Sequence, residues 1–394
     1  MIPTPEAAEQ LKLARVLYDD AATMIAATPS LLLELDLALA SLEFERALGE
    51  SRPAKEAFRR ALDILRGSRN VEPWLYGGAA HVGWTAVHLS RSYGVLVGGL
   101  EPLDRMIMEW VADFPEDRDV DLPLGLLGLG VYGLIHPDEG LRERVTAEIL
   151  RVIEKRVEHD EGIFVRLTAW EPRVRRSPHL VGQRDLGVAH GNAGLVSYLA
   201  SAAMSGLACA PHAARLLDLA LNWFLRQRSD VEQTVFSQSV EFRYMPARSA
   251  WCYGDPGIAL ALSVAARATD RADLRTVARD TARSATTRPV SLTRVSDACV
   301  CHGASGMAWF NHRSATEFGL VQARDGVAHW TRHIAEQREK GPLEYNSLEQ
   351  KRRDASFLEG DLGTSLVLLY LATGVRPLWE QRLLATPVVA GEPI

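Results

Sequence analysis

Apolar residues recur at intervals of three and four along most of the chain, as in LKLARVLYDDAATMIAA, SLLLELDLALASLEFERALGE and HAARLLDLALNWFLRQ. This spacing places them on one face of an α-helix. Long alternating runs of β-branched residues, which would predict strands, are scarce. The pattern therefore predicts an all-α protein.

A second pattern is superimposed on the first: a glycine, then glycine or a substitute three residues later, then a strongly apolar segment. These phrases begin at Gly78, Gly125, Gly191, Gly254, Gly303 and Gly360, at intervals of 47, 66, 63, 49 and 57 residues. Each interval holds about two helices, because an average helix has ~11–12 residues. The apolar segments predict inner helices, and the more polar helices between them predict an outer layer.

The uneven spacing fits variable loops on the rim of a closed ring better than it fits an open solenoid. We therefore predict an α/α toroid, a double ring of helices that forms a single domain over residues 1–394. The helices of residues 1–70 are expected to pack on the ring or to close it. Because six phrases are visible, a seventh hairpin would have to come from residues before 60 or from the C-terminal tail.

Composition and charge narrow the functional classes. Hydrophobic residues make up 47 % of the 394 and charged residues 24 %, as in ordinary globular proteins. A formal charge of −6 gives little support to a nucleic-acid or membrane-surface role. The N-terminus lacks the pattern of a secretory signal, and no stretch of 18 apolar residues runs without a charge. These features predict a cytoplasmic protein without a transmembrane segment.

Polar residues stand just before several of the glycines, and a repeated register brings such positions to the same end of the ring. They are Asp121, His190, Cys252, Cys301 and His302. Two thiolates and one imidazole match the ligand set of a catalytic zinc site, in which a fourth position stays open for water or substrate. The positive ends of the helix dipoles would favour the thiolate forms.

Each cysteine or histidine alone would be interpreted as an ordinary buried residue. The adjacency of Cys301 and His302, with Cys252 in the equivalent register, favours a metal site instead. Cys299 is a rival ligand, although no other repeat has a cysteine in its register, and Cys209 is predicted to belong to the core. The GLGVYG segment spells a dinucleotide-binding motif, but it lies within a helical repeat, where small residues serve packing.

Four segments together resemble the lanthionine synthetase C-like family, the cyclases of lanthipeptide biosynthesis. They are AHGNAG at 189–194, WCYGDPG at 251–257, CHGASG at 301–306 and FLEGDLG at 357–363, and the similarity runs from about residue 75 to 370. The resemblance implies a toroid of seven inner and seven outer helices that holds one zinc ion. It assigns the zinc ligands to the same three residues as the register, Cys252, Cys301 and His302.

The resemblance also implies an active site made of His190, Asp121, Arg248 and Tyr253. Asp119 lies two residues from Asp121, so the choice of active-site carboxylate stays open between these two aspartates. The chain departs from the family pattern at His81, where a glycine is common, and at Asp361, where a small or apolar residue is usual.

The implied activity is that of a stand-alone cyclase, which adds cysteine thiols of a dehydrated precursor peptide to dehydroalanine or dehydrobutyrine and forms thioether rings. Family members commonly associate with a dehydratase and an exporter, so these are the expected partners. Three alternatives remain open: a relative that adds glutathione to dehydroamino acids, a non-catalytic peptide-binding subunit with structural zinc, and a glycosidase that uses Glu359 and Asp361. The glycosidase leaves the cysteines and histidine unexplained.

Overall fold

Fourteen helices of ten or more residues dominate the computed structural model, which describes residues 4–94, 99–169, 178–231, 233–347 and 350–390. The inner helices are α2 (Leu31–Leu48), α4 (Ala79–Tyr93), α6 (Leu126–Ile135), α8 (Asn192–Ala203), α10 (Asp255–Thr269), α12 (Ala304–Glu317) and α14 (Asp361–Thr373). The outer helices are α1 (Pro5–Ala27), α3 (Ala54–Gly67), α5 (Glu101–Ala112), α7 (Glu139–Arg156), α9 (Ala210–Phe224), α11 (Ala272–Thr287) and α13 (Ala323–Glu339).

Burial separates the two layers. Every residue of α6 is buried, as expected for a helix enclosed on all sides. In the outer helix α3 only Ala54, Ala57, Phe58 and Ala61 are buried, and their spacing places them on one face. The predicted division into apolar inner and more polar outer helices is confirmed.

The helices close into a ring. Each inner helix packs against the outer helix that follows it in the chain, and α14 packs against α1. Inner helices α2, α4, α6, α8 and α10 contact one another in that order, and α12 contacts α14, which contacts α2. A backbone hydrogen bond between Cys252 and Cys301 joins the loops before α10 and α12. The predicted α/α toroid of seven inner and seven outer helices is confirmed.

All six phrase glycines are the N-terminal caps of inner helices, namely Gly78, Gly125, Gly191, Gly254, Gly303 and Gly360. The seventh inner helix, α2, comes from the N-terminal region and has no such glycine. It begins after Ser30, whose hydroxyl accepts a hydrogen bond from the amide of Leu33 at 3.3 Å. A side-chain cap thus replaces the glycine turn at this helix.

Three short antiparallel hairpins account for the uneven repeat spacing. They are formed by β1 (Glu158–His159) with β2 (Ile163–Phe164), β3 (Arg228–Val231) with β4 (Thr234–Phe236), and β5 (Tyr345–Ser347) with β6 (Gln350–Arg352). They lie within the three longest intervals. The first residues of α8, α10 and α14 anchor them, because Asn192 accepts from the amide of Val165, Asp255 from that of Val235, and Asp361 from the Tyr345 hydroxyl. The unusual Asp361 is therefore a hairpin anchor.

The chain after α14 fills the centre of the ring. Residues 377–388, here called the C-terminal plug, are all buried. Side chains from several inner helices bond to it, including Glu43 of α2, Ser197 of α8 and Arg313 of α12. His81 of α4 lies 2.8 Å from the plug residue Arg382, which explains why a histidine replaces the usual glycine there. The plug closes the ring from inside.

Candidate metal centre and active site

The loops before the inner helices are held close to the first helical turn. An added Cβ at Gly254 or Gly257 would collide with the carbonyl oxygen of the residue six positions earlier, Arg248 or Trp251. The same relation recurs at Gly78, Gly125, Gly128, Gly191, Gly194, Gly306, Gly360 and Gly363. Only glycine permits so close an approach. Equivalent positions of different repeats therefore take equivalent places around one end of the ring.

Backbone hydrogen bonds pass from each of these loops to the next. The amide of Cys252 donates to the carbonyl of Cys301 at 3.3 Å, and the amide of Cys301 donates to Leu358 at 3.0 Å. In the other direction, Val188 donates to Cys252 and Leu122 donates to Ala189, both at 3.0 Å. This chain of bonds brings together residues that lie as much as 236 positions apart between Leu122 and Leu358.

Cys252, Cys301 and His302 form a three-donor cluster. Two sulfurs and one imidazole nitrogen lie within 4.8 Å of one another. Cys252 is 4 % exposed and Cys301 9 % exposed, and 16 % of the His302 side chain is accessible. Two soft sulfur donors and one nitrogen suit zinc, and three protein ligands leave one tetrahedral position for another group. The donor set therefore fits the implied metal.

The electrostatics of the cluster support metal binding. Burial opposes ionisation of Cys252, but hydrogen bonds with Cys301 and His302 outweigh it and hold its pKa well below the usual thiol value. The same bond to Cys252, together with burial, raises the pKa of Cys301 well above that value. Burial lowers the pKa of His302, whereas the bond to Cys252 raises it, with a net rise. The cluster therefore favours the thiolate of Cys252, the form of cysteine that binds a metal ion.

Cys299 belongs to a different arrangement. Its sulfur accepts a hydrogen bond from the backbone amide of His302 at 3.4 Å, and its side chain groups with Asp297 and His302 rather than with the other two cysteines. Asp297 accepts from the amides of Cys299 and Asn346, both at 3.0 Å. This carboxylate fastens the ligand loop to β5. Cys209 lies apart, half-buried before α9 and packed against the core.

His190 and Asp121 form a pair beside the three-donor cluster. The Nδ1 atom of His190 lies 2.8 Å from Oδ2 of Asp121, whose Oδ1 accepts from the amide of Leu124 at 2.9 Å. A carboxylate at Nδ1 holds the proton on that nitrogen and fixes the orientation of the ring. Asp119 instead accepts from the amide of Thr168 at 2.7 Å. Of the two candidate aspartates, Asp121 is the one beside His190.

Tyr253 lies beside the His190–Asp121 pair, and Arg248 lies near the three-donor cluster. The ring of Tyr253 stacks near that of His190, with centroids 6.2 Å apart and planes at 23°. Tyr253 follows Cys252 directly, so the pair and the cluster are neighbours. The side chain of Arg248 is exposed, and its positive charge lowers the pKa values of both Cys252 and His302. The four residues assigned to the active site and the three assigned to the metal thus occupy one region.

Comparison with known proteins identifies the family and agrees with the fold. Residues 37–384 match the family described as "Lanthionine synthetase C-like protein". The chain belongs to the lanthionine synthetase C-like family. The nisin biosynthesis protein NisC of Lactococcus lactis subsp. lactis is 25 % identical over 257 residues, which are 59 % of this chain and 60 % of that protein. The solved structure of nisin cyclase covers 94 % of this chain, with a TM-score of 0.71 and 19 % identity, and 97 % of its own chain is matched.

Two features of this family member were missed by the sequence analysis. The indole of Trp251, next to Cys252, donates to the carbonyl of Leu383 at 2.9 Å, so the C-terminal plug is hydrogen-bonded to the loop that carries Cys252. Aspartates stand six residues before a phrase glycine in four repeats, as Asp119, Asp185, Asp297 and Asp354. The aspartate repeat was visible in the sequence, whereas nothing in the sequence indicated the plug. None of the described helices is long and apolar enough to cross a bilayer.

Proposed function

We propose that this protein is a zinc-dependent cyclase that joins cysteine thiols of a dehydrated precursor peptide to dehydroalanine or dehydrobutyrine. The observation that carries the proposal is the placement of two sulfurs and one imidazole nitrogen within 4.8 Å of one another, with the His190–Asp121 pair next to them. The family, and the names of the nisin cyclase and the nisin biosynthesis protein, support a lanthipeptide substrate.

Cys252, Cys301 and His302 would hold the metal. A free cysteine thiol has a pKa of ~8.5, so little thiolate is present at neutral pH. Zinc bound here would supply the charge that keeps a substrate thiol deprotonated and oriented. The partial burial of the three ligands limits access of water, while the exposed part of His302 leaves the cluster accessible from outside.

His190 would deliver the proton that completes the addition. When sulfur attacks the β-carbon of a dehydroamino acid, the electron pair moves to an enolate, which must be protonated at its α-carbon. An imidazole is suited to this task at neutral pH. Asp121 would hold the ring in place, Tyr253 would fix its plane by stacking, and the cationic Arg248 would stabilise the enolate oxygen.

Mutation of one ligand and of the proposed acid separates metal binding from proton transfer. The substrate is a synthetic peptide with one dehydroalanine and one cysteine, and the product is followed by mass spectrometry after thiol alkylation. We expect Cys301→Ala to lose both stoichiometric zinc and ring formation. We expect His190→Ala to keep zinc and to slow ring closure by about 10²–10⁴-fold, the usual contribution of a general acid. Cys209→Ala, outside the cluster, is the matched control.

The same assay compares the competing functions. With glutathione added, an intermolecular adduct in place of a ring would favour the glutathione-adding alternative. Full activity of the His190→Ala variant would remove that residue from the mechanism. Zinc retained by Cys301→Ala, with three other protein ligands visible by X-ray absorption, would favour a structural metal and a binding subunit.

A further inference from the structure

Exposed apolar side chains concentrate on the segments that precede His190, Cys252 and Cys301, one of which includes the short helix Val290–Thr293. Val181 is 50 % exposed, Tyr244 80 %, Met245 55 %, Val290 51 % and Leu292 38 %. Together they are called the rim patch. In the described part of the chain only Val16 and Val321 are other large apolar residues with comparable exposure. Such concentration marks an interaction surface.

The three loops that carry the rim patch stand side by side. The amide of Val240 donates to the carbonyl of Arg184 at 3.1 Å, which joins the loop before His190 to the loop before Cys252. The amide of Ser249 donates to the carbonyl of Thr293 at 2.9 Å, which joins the latter to the loop before Cys301. The rim patch therefore continues outward from the same segments that supply His190 and the metal ligands.

Charge around the rim patch is positive although the whole chain carries a formal −6. Arg243 and Arg294 are exposed, and across the described residues neither is joined to a carboxylate by an ion pair. The nearby carboxylates are already engaged: Glu241 pairs with Arg184 at 2.8 Å, and Asp297 is buried and bonded to backbone amides. This surface presents cations and apolar groups together.

We infer that the rim patch binds a segment of the substrate peptide, outside the ring being closed, in which acidic side chains accompany aliphatic or aromatic ones. The inference rests on the proposed function and adds the chemistry by which that substrate is recognised. Apolar side chains of the peptide cover Tyr244 and Met245, and its carboxylates approach Arg243 and Arg294. Binding here raises the local concentration of the reacting segment at the metal cluster, as tethering does.

Direct binding tests the inference without requiring catalysis. The probe is a short fluorescein-labelled peptide of alternating leucine and aspartate, measured by fluorescence anisotropy. A peptide with lysine in place of aspartate and one with serine in place of leucine are the comparison probes. We expect only the first to bind well, with an affinity that falls as salt rises. Equal binding of the lysine peptide, or no binding of the aspartate peptide, would overturn the inference.

Substitutions locate the binding surface. We expect Tyr244→Ser combined with Met245→Ser to weaken binding by about tenfold or more, the loss typical of truncating interface anchors. Arg243→Glu should weaken the aspartate peptide and improve the lysine peptide. Val321→Ser, equally exposed but on the loop between α12 and α13, should leave binding unchanged. Equal losses of affinity in the Tyr244→Ser/Met245→Ser variant and in the Val321→Ser variant would contradict this location.

Kinetics separate this inference from the proposed function. With a dehydrated peptide that carries the same acidic and apolar segment, the rim variants should raise KM and leave kcat unchanged. Normal probe binding without ring formation would count against the cyclase only. If rings form and the rim variants leave KM unchanged, the docking surface is overturned and the cyclase is not. Concentration-dependent dimerisation that the Tyr244→Ser variant abolishes would also overturn the docking surface alone.

Discussion

Replacing Arg382 by methionine tests the contribution of the C-terminal plug. Arg382 is fully buried, and its guanidinium donates to Oδ1 of Asp36 at 3.1 and 3.2 Å. The guanidinium also lies over the rings of Tyr76 at 4.5 Å and Phe357 at 5.0 Å. Methionine preserves much of the side-chain volume but leaves the buried carboxylate of Asp36 without its cation.

The loss of folding free energy in the Arg382→Met variant has an upper bound. Removing one partner of a buried ion pair costs about 3–5 kcal/mol. Asp36 can instead become protonated, which at pH 7 costs about 4 kcal/mol for a carboxyl whose pKa in the unfolded chain is about 3.9. We therefore expect the free energy of unfolding of Arg382→Met to fall by up to about 4 kcal/mol at pH 7.

The loss should depend on pH. Burial raises the pKa of Asp36 in the folded protein, and the charge of Arg382 opposes that rise, so the variant raises it further. A raised folded-state pKa means that stability is kept below about pH 4 and lost as pH rises. Because the wild-type pKa is itself raised, the deficit develops only above that pKa, so it should be smaller at pH 5 than at pH 7.

Urea unfolding at pH 5 and pH 7 measures this difference. Arg215→Met is the matched control, because Arg215 is 61 % exposed and its ion pair with Glu154 should be worth about 0.2–1 kcal/mol. The double variant Asp36→Leu with Arg382→Met should be more stable than Arg382→Met alone, since no charge is left unpaired. A deficit that does not change with pH, or a double variant less stable than the single one, would refute the reasoning.

Three further predictions concern the site. Asp121→Asn should slow ring closure by about tenfold or more with zinc content unchanged, because an amide no longer holds the proton on Nδ1 of His190; equal rates would refute this. Gly257→Ala should reduce the free energy of unfolding by about 1–3 kcal/mol, since its Cβ would meet the carbonyl of Trp251. Chelation of the metal should lower the melting temperature of the wild type, and that of Cys301→Ala should not respond.

Much of the ring was predictable because each phrase encodes its own local geometry. The carbonyl that approaches Gly254 comes from Arg248, only six residues earlier, so a short motif suffices to define the turn. Helix α2 was harder to identify as an inner helix, because Ser30 caps it in the ordinary way. Its uniformly buried residues Glu34 to Phe44 include charged ones, and the partner of Asp36 is Arg382, 346 residues along the chain.

The cluster of Cys252, Cys301 and His302 was predicted from register because neighbouring repeats place equivalent residues side by side. The hydrogen bond between His190 and Asp121 was not, since it depends on the direction of two side chains from loops 69 residues apart. Register gives the approximate position of the backbone in each repeat. Side-chain pairing needs the finer detail of each loop.

The C-terminal plug determines from which face of the ring the proposed site is accessible. A toroid with an empty centre would admit a peptide from either end, but the buried segment 377–388 blocks the passage, and its Leu383 carbonyl holds the indole of Trp251 directly beside Cys252. With the centre filled, the proposed substrate peptide would approach across the loops that begin the inner helices. Those loops also carry the rim patch, so the proposed docking surface and the proposed chemistry would share one face of the ring.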